Sequence, residues 1–250
     1  MSAAAKNLAV IQHTSAEYLG YIEEHLQGRG IRFRYFRPFT AGGRLPRPAE
    51  IVDGLVLLGG GPWGVVPGAT CLPSLEPEMA LVKAALADGV PVLGFGLGAQ
   101  VLALAAGGSA RGGALTFEVG VARRIVAHAL GGWLPDRYPV VRYGRDAVAL
   151  PEAAQVLARD ERQRWALFQL GERAFGFAGH PGIKSAIIED LIMEFAETPA
   201  DTAAALHELR AVQSEIEAAL AAVMAGLTQA LRLMAVADVN AQSVKLDANG

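Results

Sequence analysis

The sequence contains a single cysteine, Cys71, in 250 residues. One cysteine can form neither an intramolecular disulfide nor a cysteine-based zinc site, so we expect neither in this chain. We also predict no metal site and no cofactor. An excess of charge of one sign is missing too, because the formal net charge is only −3 and no long run of Lys or Arg occurs. This charge balance argues against a nucleic-acid partner.

Long hydrophobic runs are also missing, although 52% of the residues are hydrophobic. Gly, Pro or a charged residue interrupts each apolar run before it reaches the ~18 residues that a membrane span requires. The apolar run near the N-terminus is short and lacks the pattern of a signal peptide, so it is predicted to be a strand. We therefore expect a cytoplasmic globular protein with a sizeable core and no membrane segment.

The first 106 residues show a regular alternation of strand and helix patterns. The strand patterns cover 7–12, 31–36, 54–58 and 90–95, and the helical patterns cover 16–27, 75–88 and 100–106. This alternation predicts the α/β class, with a mostly parallel sheet and helices on both faces. Ligands of such sheets bind at the carboxyl ends of the strands, where the glycine-rich turns at 59–61 and 94–98 fall.

The pattern changes in the second half of the chain. Short strand patterns separated by turns between residues 118 and 179 predict an antiparallel part of the fold. A helical pattern at 183–197 follows, and we place the end of the main domain, 1–197, there.

A further helical pattern begins at Thr198. The run Thr198-Pro199-Ala200-Asp201 is a strong helix start, and apolar residues then recur at steps of three and four. We predict one long amphipathic helix over 198–236 and a flexible tail over 237–250. An apolar stripe of this length predicts a partner that covers it, in a homodimer or a heteromeric complex.

Four short motifs occur in sequence order, each at a turn or strand of the predicted sheet. They are Gly59-Gly60-Gly61-Pro62, PVLGFGLGAQ at 91–100, Phe117-Glu118-Val119-Gly120 and FGFAGHP at 175–181. With these motifs the chain resembles the class I glutamine amidotransferases, of the GMP-synthase glutaminase type, over about residues 7–195. The resemblance implies a flavodoxin-like sheet and hydrolysis of the glutamine side-chain amide by a Cys-His-Glu triad.

Transferred to this chain, the resemblance assigns His180 as the triad histidine; the alternative is a structural histidine that is hydrogen-bonded at the end of the sheet. The nucleophile falls at Gly96, between the predicted strand and helix, and the orienting carboxylate falls at Gly182. Neither glycine can replace a thiol or a carboxylate, although a glycine tolerates the strained backbone of such a turn. Two of the three triad members are therefore missing.

The same resemblance assigns the residues that would hold a ligand. The oxyanion donors are the backbone N–H groups of Gly61 and Leu97. The remaining positions of the ligand site are Gly60, Gln100, Tyr143 and Gly144.

Three hypotheses follow for the function. In the first, the protein is a degenerate amidotransferase without glutaminase activity that binds a small carboxylate or amide in the former cleft, or serves as a subunit of a complex. In the second, it is an enzyme with a relocated nucleophile, in which Cys71 or a residue of a partner acts together with His180. In the third, it is an interaction protein that works through its C-terminal helix.

Overall fold

A nine-stranded sheet forms the centre of the protein in the computed structural model, which describes residues 5–234. The described residues form eleven strands, of which all but β5 and β8 belong to this sheet. They are β1 (Asn7–Ile11), β2 (Arg32–Phe36), β3 (Gly54–Leu57), β4 (Val92–Phe95), β5 (Ser109–Arg111), β6 (Thr116–Arg124), β7 (Arg137–Gly144), β8 (Ala147–Ala149), β9 (Ala154–Asp160), β10 (Trp165–Leu170) and β11 (Ala174–Phe177). The helices are α1 (Ile22–Gly28), α2 (Leu75–Ala87), α3 (Leu97–Ala105), α4 (Ser185–Glu194), α5 (Thr202–Ala211) and α6 (Gln213–Ala230).

The order of the strands is β2-β1-β3-β4-β11-β10-β9-β6-β7. The first five are parallel to one another, and each later strand pairs antiparallel with its neighbour. The predicted α/β class is confirmed. The prediction that residues 174–178 belong only to the antiparallel part is wrong, because β11 pairs parallel with β4 and antiparallel with β10. A separate two-stranded sheet of β5 and β8 was not predicted.

Helices cover both faces of the sheet, as predicted. In β1 the side chains alternate, so that Leu8 and Val10 join one buried cluster and Ala9 and Ile11 join another. The first cluster contains apolar residues of α1 and α6, and the second contains apolar residues of α2 and α3. The parallel strands β1, β3, β4 and β11 are therefore buried on both sides, whereas the edge strand β2 is partly exposed.

The predicted helical extension at the C-terminus is confirmed, but it is not the single helix over 198–236 that the sequence predicts. The chain forms two helices, α5 and α6, and the backbone bends at Val212, whose N–H contacts both Glu208 O and Leu209 O at 3.2 Å. The helix begins at Thr202 rather than after Thr198, and α6 ends at Ala230. Steps of three and four continue across the bend, so the periodicity did not reveal it. The predicted tail at 237–250 lies outside the described residues.

The apolar stripe of α6 is covered by the protein itself. Leu220, Val223 and Leu227 are at most 2% exposed and pack in the same cluster as Leu8 and Val10 of the first strand. The argument that a partner must cover this stripe therefore fails, because the stripe completes the core of the chain. Within residues 5–234, no helix is both long and apolar enough to cross a bilayer.

Candidate functional site

Three loops meet at the carboxyl ends of the adjacent strands β3, β4 and β11. They carry residues 59–62, Gly96 and His180, respectively. A Cβ atom built at Gly96 would lie 3.7 Å from the Gly59 Cα, and the rings of Phe95 and His180 have centroids 5.4 Å apart. Gly96 and His180 line one small cavity of about 10 Å³, which is room for about one water molecule. The sheet thus brings together the three motifs that the sequence places far apart.

The turn between β4 and α3 has the shape of a nucleophile elbow. Gly96 lies at its apex with φ 53° and ψ −114°, and its N–H donates to Phe177 O at 3.0 Å. A Cβ atom at Gly98 would approach Leu57 O to 2.2 Å, so only glycine lets α3 start this close to β3. At Gly96, in contrast, a side chain would have room but would adopt a strained backbone conformation.

His180 is buried and hydrogen-bonded through both ring nitrogens. Its Nε2 lies 2.8 Å from Tyr18 O, and its Nδ1 accepts the Gly182 N–H at 3.2 Å. A carbonyl oxygen can only accept, so the proton is assigned to Nε2 and the ring is neutral. Burial lowers the pKa of His180 to about 4. To accept a proton, this imidazole would have to give up the bond from Gly182.

Gly182 lies against the segment that leads into α1. Its carbonyl oxygen accepts the Tyr21 N–H at 2.9 Å. A Cβ atom at Gly182 would lie 2.8 Å from Ile22 Cγ1 and 3.1 Å from Ile22 N. No room is left for a side chain at this position, and the hydrogen bond of the His180 ring goes to the Tyr18 carbonyl oxygen instead of a carboxylate.

Comparison with known proteins fits this arrangement of loops. The family model for glutamine amidotransferase class-I matches residues 28–194. The chain belongs to this family. A glutamine amidotransferase from Thermotoga maritima is 25% identical, with a TM-score of 0.73 over 90% of this chain and 98% of that one. One from Methylobacillus flagellatus is 23% identical, with a TM-score of 0.75 over 91% and 96% of the two chains. No curated protein sequence gives a significant match.

Glu17 is a residue of this amidotransferase-like site that the sequence analysis missed. Its Oε2 accepts the Gly61 N–H at 2.6 Å, and its side chain lines the small cavity with Gly96 and His180. The expectation that the Gly61 N–H is available to a ligand is therefore wrong. The Leu97 N–H, the other donor that the resemblance assigned, donates to none of the described residues.

Glu17 was missed because the sequence predicts too early a start for the first helix. Residues 16–27 were predicted to be helical, which would have placed Glu17 on a helix surface. In the structure α1 begins only at Ile22, and the preceding segment runs across the ends of the strands. Glu17 is 4% exposed, and burial raises its pKa to about 7. The polar residues directly after β1 were the only available signal.

A buried pair of side chains, His13 and Glu78, holds the 59–62 loop in place. His13 Nδ1 donates to Gly59 O at 2.9 Å, and its Nε2 lies 2.9 Å from Glu78 Oε2, with both side chains fully buried. Burial alone lowers the pKa of His13, but the adjacent Glu78 raises it above the ordinary value. Glu78 also accepts from Ser74 Oγ at 2.6 Å. Because His13 points at a backbone oxygen, the pair positions the loop.

A larger cavity of about 310 Å³ opens beside the elbow, and we call it the cleft. The residues of the predicted site that line it are Gly96, Leu97, Gln100, Tyr143 and Gly144. The rest of its lining consists of Trp63, Thr116, Arg142, Arg145, Asp146, Ala147, Val148, Arg159, Arg164, Trp165 and Ala178. Five of the predicted site residues therefore share one cavity. Gly60 is packed behind them, because a Cβ atom there would lie 2.1 Å from Leu97 Cδ2.

Three buried polar atoms of the cleft residues have no hydrogen-bond partner among the described residues. They are Gln100 Oε1, Arg142 Nε and Tyr143 Oη. The other end of the Gln100 amide donates to Arg145 O at 2.8 Å, which fixes its orientation. Arg142 is held by Asp160 at 3.2 Å and stacks over Trp165, and this orients its guanidinium. The residues that line the cleft thus carry one acceptor, one cationic donor and one hydroxyl that are buried and unpaired among the described residues.

Asp146 anchors the wall of the cleft to two other loops. Its Oδ2 accepts the N–H groups of Val65 and Val66 at 2.8 and 3.2 Å, and its Oδ1 accepts the Gly113 N–H at 3.0 Å.

We expect Asp146→Ala to lower the free energy of unfolding by about 2 kcal/mol, because it removes three hydrogen bonds to a charged acceptor. Asp146→Asn should cost less, and Asp88→Ala, at an exposed aspartate elsewhere, almost nothing. Urea unfolding of the three variants measures this; equal losses in Asp146→Ala and Asp88→Ala would contradict it.

Cys71 lies away from the elbow. It is half-buried, its Sγ contacts Leu72 O at 3.8 Å, and it lines neither the small cavity nor the cleft as formed by the described residues. Burial, with Asp146 and Glu76 nearby, raises the pKa of the thiol, which disfavours the thiolate.

Among residues 5–234, no group of three or more His, Cys, Asp or Glu side chains is placed to hold a metal ion.

Proposed function

We propose that this amidotransferase-family protein has no glutaminase activity and binds a small molecule bearing a carboxylate or an amide in its cleft. The observation that carries the proposal is the elbow, which keeps its strained turn but has Gly96 at the apex. The family's reaction needs a thiolate there, a histidine that exchanges protons and a carboxylate that orients it. Here the apex has no side chain, and the packing around Gly182 excludes a carboxylate.

The orientation of His180 supports the same proposal. Both of its nitrogens are bonded to backbone groups, and its lowered pKa keeps the ring neutral near pH 7. A general base must exchange its proton with the reacting group. His180 therefore serves to join the loop after β11 to the segment before α1.

Direct assay tests the loss of activity. We expect the purified protein to release ammonia from glutamine at the background rate, on the order of a million-fold below a family member with an intact triad. Cys71→Ala should leave this rate unchanged, since Cys71 does not line the cavity that contains His180. Turnover well above background would contradict the proposal, and turnover abolished by Cys71→Ala would establish the relocated-nucleophile alternative.

Ligand binding follows from the cleft. A ligand with a hydrogen-bond donor for Gln100 Oε1 and a carboxylate or carbonyl oxygen for Arg142 would satisfy atoms that the described residues leave unpaired. The cavity volume is at the lower end of the range for small-molecule sites. Amino acids, their amides and short carboxylates are the compounds to screen, by thermal stabilisation and calorimetry.

Two matched tyrosine variants test where such a ligand binds. The hydroxyls of Tyr143 and Tyr138 are both buried without a partner among the described residues, but only Tyr143 lines the cleft. For a compound that the screen identifies, Tyr143→Phe should weaken affinity about tenfold, the value of one hydrogen bond, and Tyr138→Phe should leave it unchanged. Equal affinities in the two variants would place the ligand elsewhere.

A further inference from the structure

The Gly61 N–H already has a partner within the chain. Glu17 Oε2 accepts it at 2.6 Å, and Glu17 Oε1 lies so close to Gly59 that a Cβ atom there would be 1.9 Å away. We call the Gly61 N–H and the space beside Gly59 and Gly96 the anion seat. A carboxylate group from residue 17 fills this seat, although 44 residues separate the two partners.

Several neighbours hold this carboxyl group in place. The Glu17 N–H donates to Thr14 Oγ1 at 3.1 Å, which fixes the backbone that carries it. The absence of a side chain at Gly59 provides the space, and a positive charge on the ring of His13 lowers the pKa of Glu17 and so favours the carboxylate. Glu194 acts in the opposite sense, because its negative charge disfavours ionisation of Glu17.

Burying a carboxylate is unfavourable unless its oxygens are bound, so a glutamate in this position requires the seat. The seat also requires an acceptor such as this glutamate. A backbone N–H on a turn with φ 54° at Gly61 has no partner within a helix or strand, and a buried N–H without an acceptor costs free energy. The two groups satisfy each other, and the small cavity beside them has room for only about one water molecule.

We propose that Glu17 is an internal ligand of the anion seat, which closes the seat to any external carboxylate or carbonyl oxygen. This inference rests on the proposed function, since it concerns what the cleft can bind. A compound in the cleft is then held by the cleft residues, such as Arg142 and Tyr143, and does not reach the Gly61 N–H. Two features then oppose catalysis, because the nucleophile is missing and one of the two oxyanion donors, the Gly61 N–H, is occupied.

Chemical complementation tests the proposal. In Glu17→Ala, removal of the side chain opens the seat, and acetate supplies a carboxylate of the right size. We expect sodium acetate at pH 8, against sodium chloride at equal ionic strength, to shift the Gly61 amide resonance saturably and to raise the unfolding midpoint. The apparent affinity should exceed that of the wild-type protein at least about tenfold.

Glu17→Gln is the matched control. Its carboxamide oxygen accepts the Gly61 N–H, so the seat stays filled and acetate should shift neither the resonance nor the midpoint. If Glu17→Ala folds only with acetate and not with chloride, that is the same positive result. An absence of any acetate-specific response in Glu17→Ala, or an equal response in the wild-type protein, would overturn the proposal. Neither outcome affects the glutaminase assay, so the two proposals fail separately.

Discussion

Glu17→Gln should make the protein more stable relative to wild type at pH 8 than at pH 5, by up to about 3 kcal/mol. Burial raises the pKa of Glu17 to about 7 from the ordinary 4.5. Between these values the folded state binds more protons than the unfolded state, so wild-type stability falls as the pH rises through this window. A shift of this size corresponds to roughly 3 kcal/mol, and glutamine does not titrate.

Denaturant unfolding of both proteins at pH 5 and pH 8 measures this difference. Glu152→Gln, at an exposed glutamate, is the control and should show no dependence on pH. The groups that act on Glu17 are His13, which lowers its pKa, and Glu194, which raises it. His180 has a lowered pKa and destabilises both proteins equally below about pH 6.5, so its effect cancels. If the free energies of unfolding of Glu17→Gln and wild type differed by the same amount at pH 5 and pH 8, Glu17 would not be a buried, titrating carboxyl group.

Gly182→Glu should destabilise the protein by about 4 kcal/mol and lower the unfolding midpoint by roughly 8–16 °C. This substitution restores the residue type that the resemblance assigns to the triad. The new Cβ would lie 2.8 Å from Ile22 Cγ1, and the carboxylate would enter a region packed by Leu220 of α6. Gly96→Cys should cost only about 1–3 kcal/mol, because the apex has space and the cost is the positive φ.

Thermal unfolding of the single variants, with Gly182→Ala as the smaller control, measures this contrast. The double variant Gly96→Cys, Gly182→Glu should fold poorly and should not release ammonia from glutamine. Wild-type stability in Gly182→Glu, or turnover in the double variant, would show that the segment before α1 yields and that the triad can be rebuilt.

The strands and helices could be predicted from the sequence where burial of an element determines the spacing of its apolar residues. The strands β1, β3 and β4 are apolar because helices cover both of their faces, and their glycine-rich turns show where they end. The bend at Val212 could not be predicted in the same way. Both α5 and α6 bury an apolar side toward the domain, so the spacing of apolar residues stays regular through the break.

Only the site residues that the family resemblance assigns could be predicted from the sequence. Gly96, Leu97 and Gln100 belong to one motif, in the turn after β4, and they share a cavity with Tyr143 and Gly144 at the end of β7. Glu17 and His13 belong to no motif. Their roles depend on contacts with Gly61 and Glu78, which lie 44 and 65 residues away in sequence, and no local pattern encodes such a distance.

The way α6 completes the core has a consequence for the order of folding. Leu227 and Leu231 pack in one cluster with Leu8 and Val10, so nearly the whole chain separates the two sides of this contact. During synthesis the first strands leave the ribosome long before the helix that covers them. The part of this face that α6 covers therefore stays exposed to water until residue 231 has emerged, although α1 can cover the rest earlier, and contacts of such long range form slowly. The nascent chain is most prone to aggregate in this interval, through apolar strand residues that no longer contact solvent once α6 has docked.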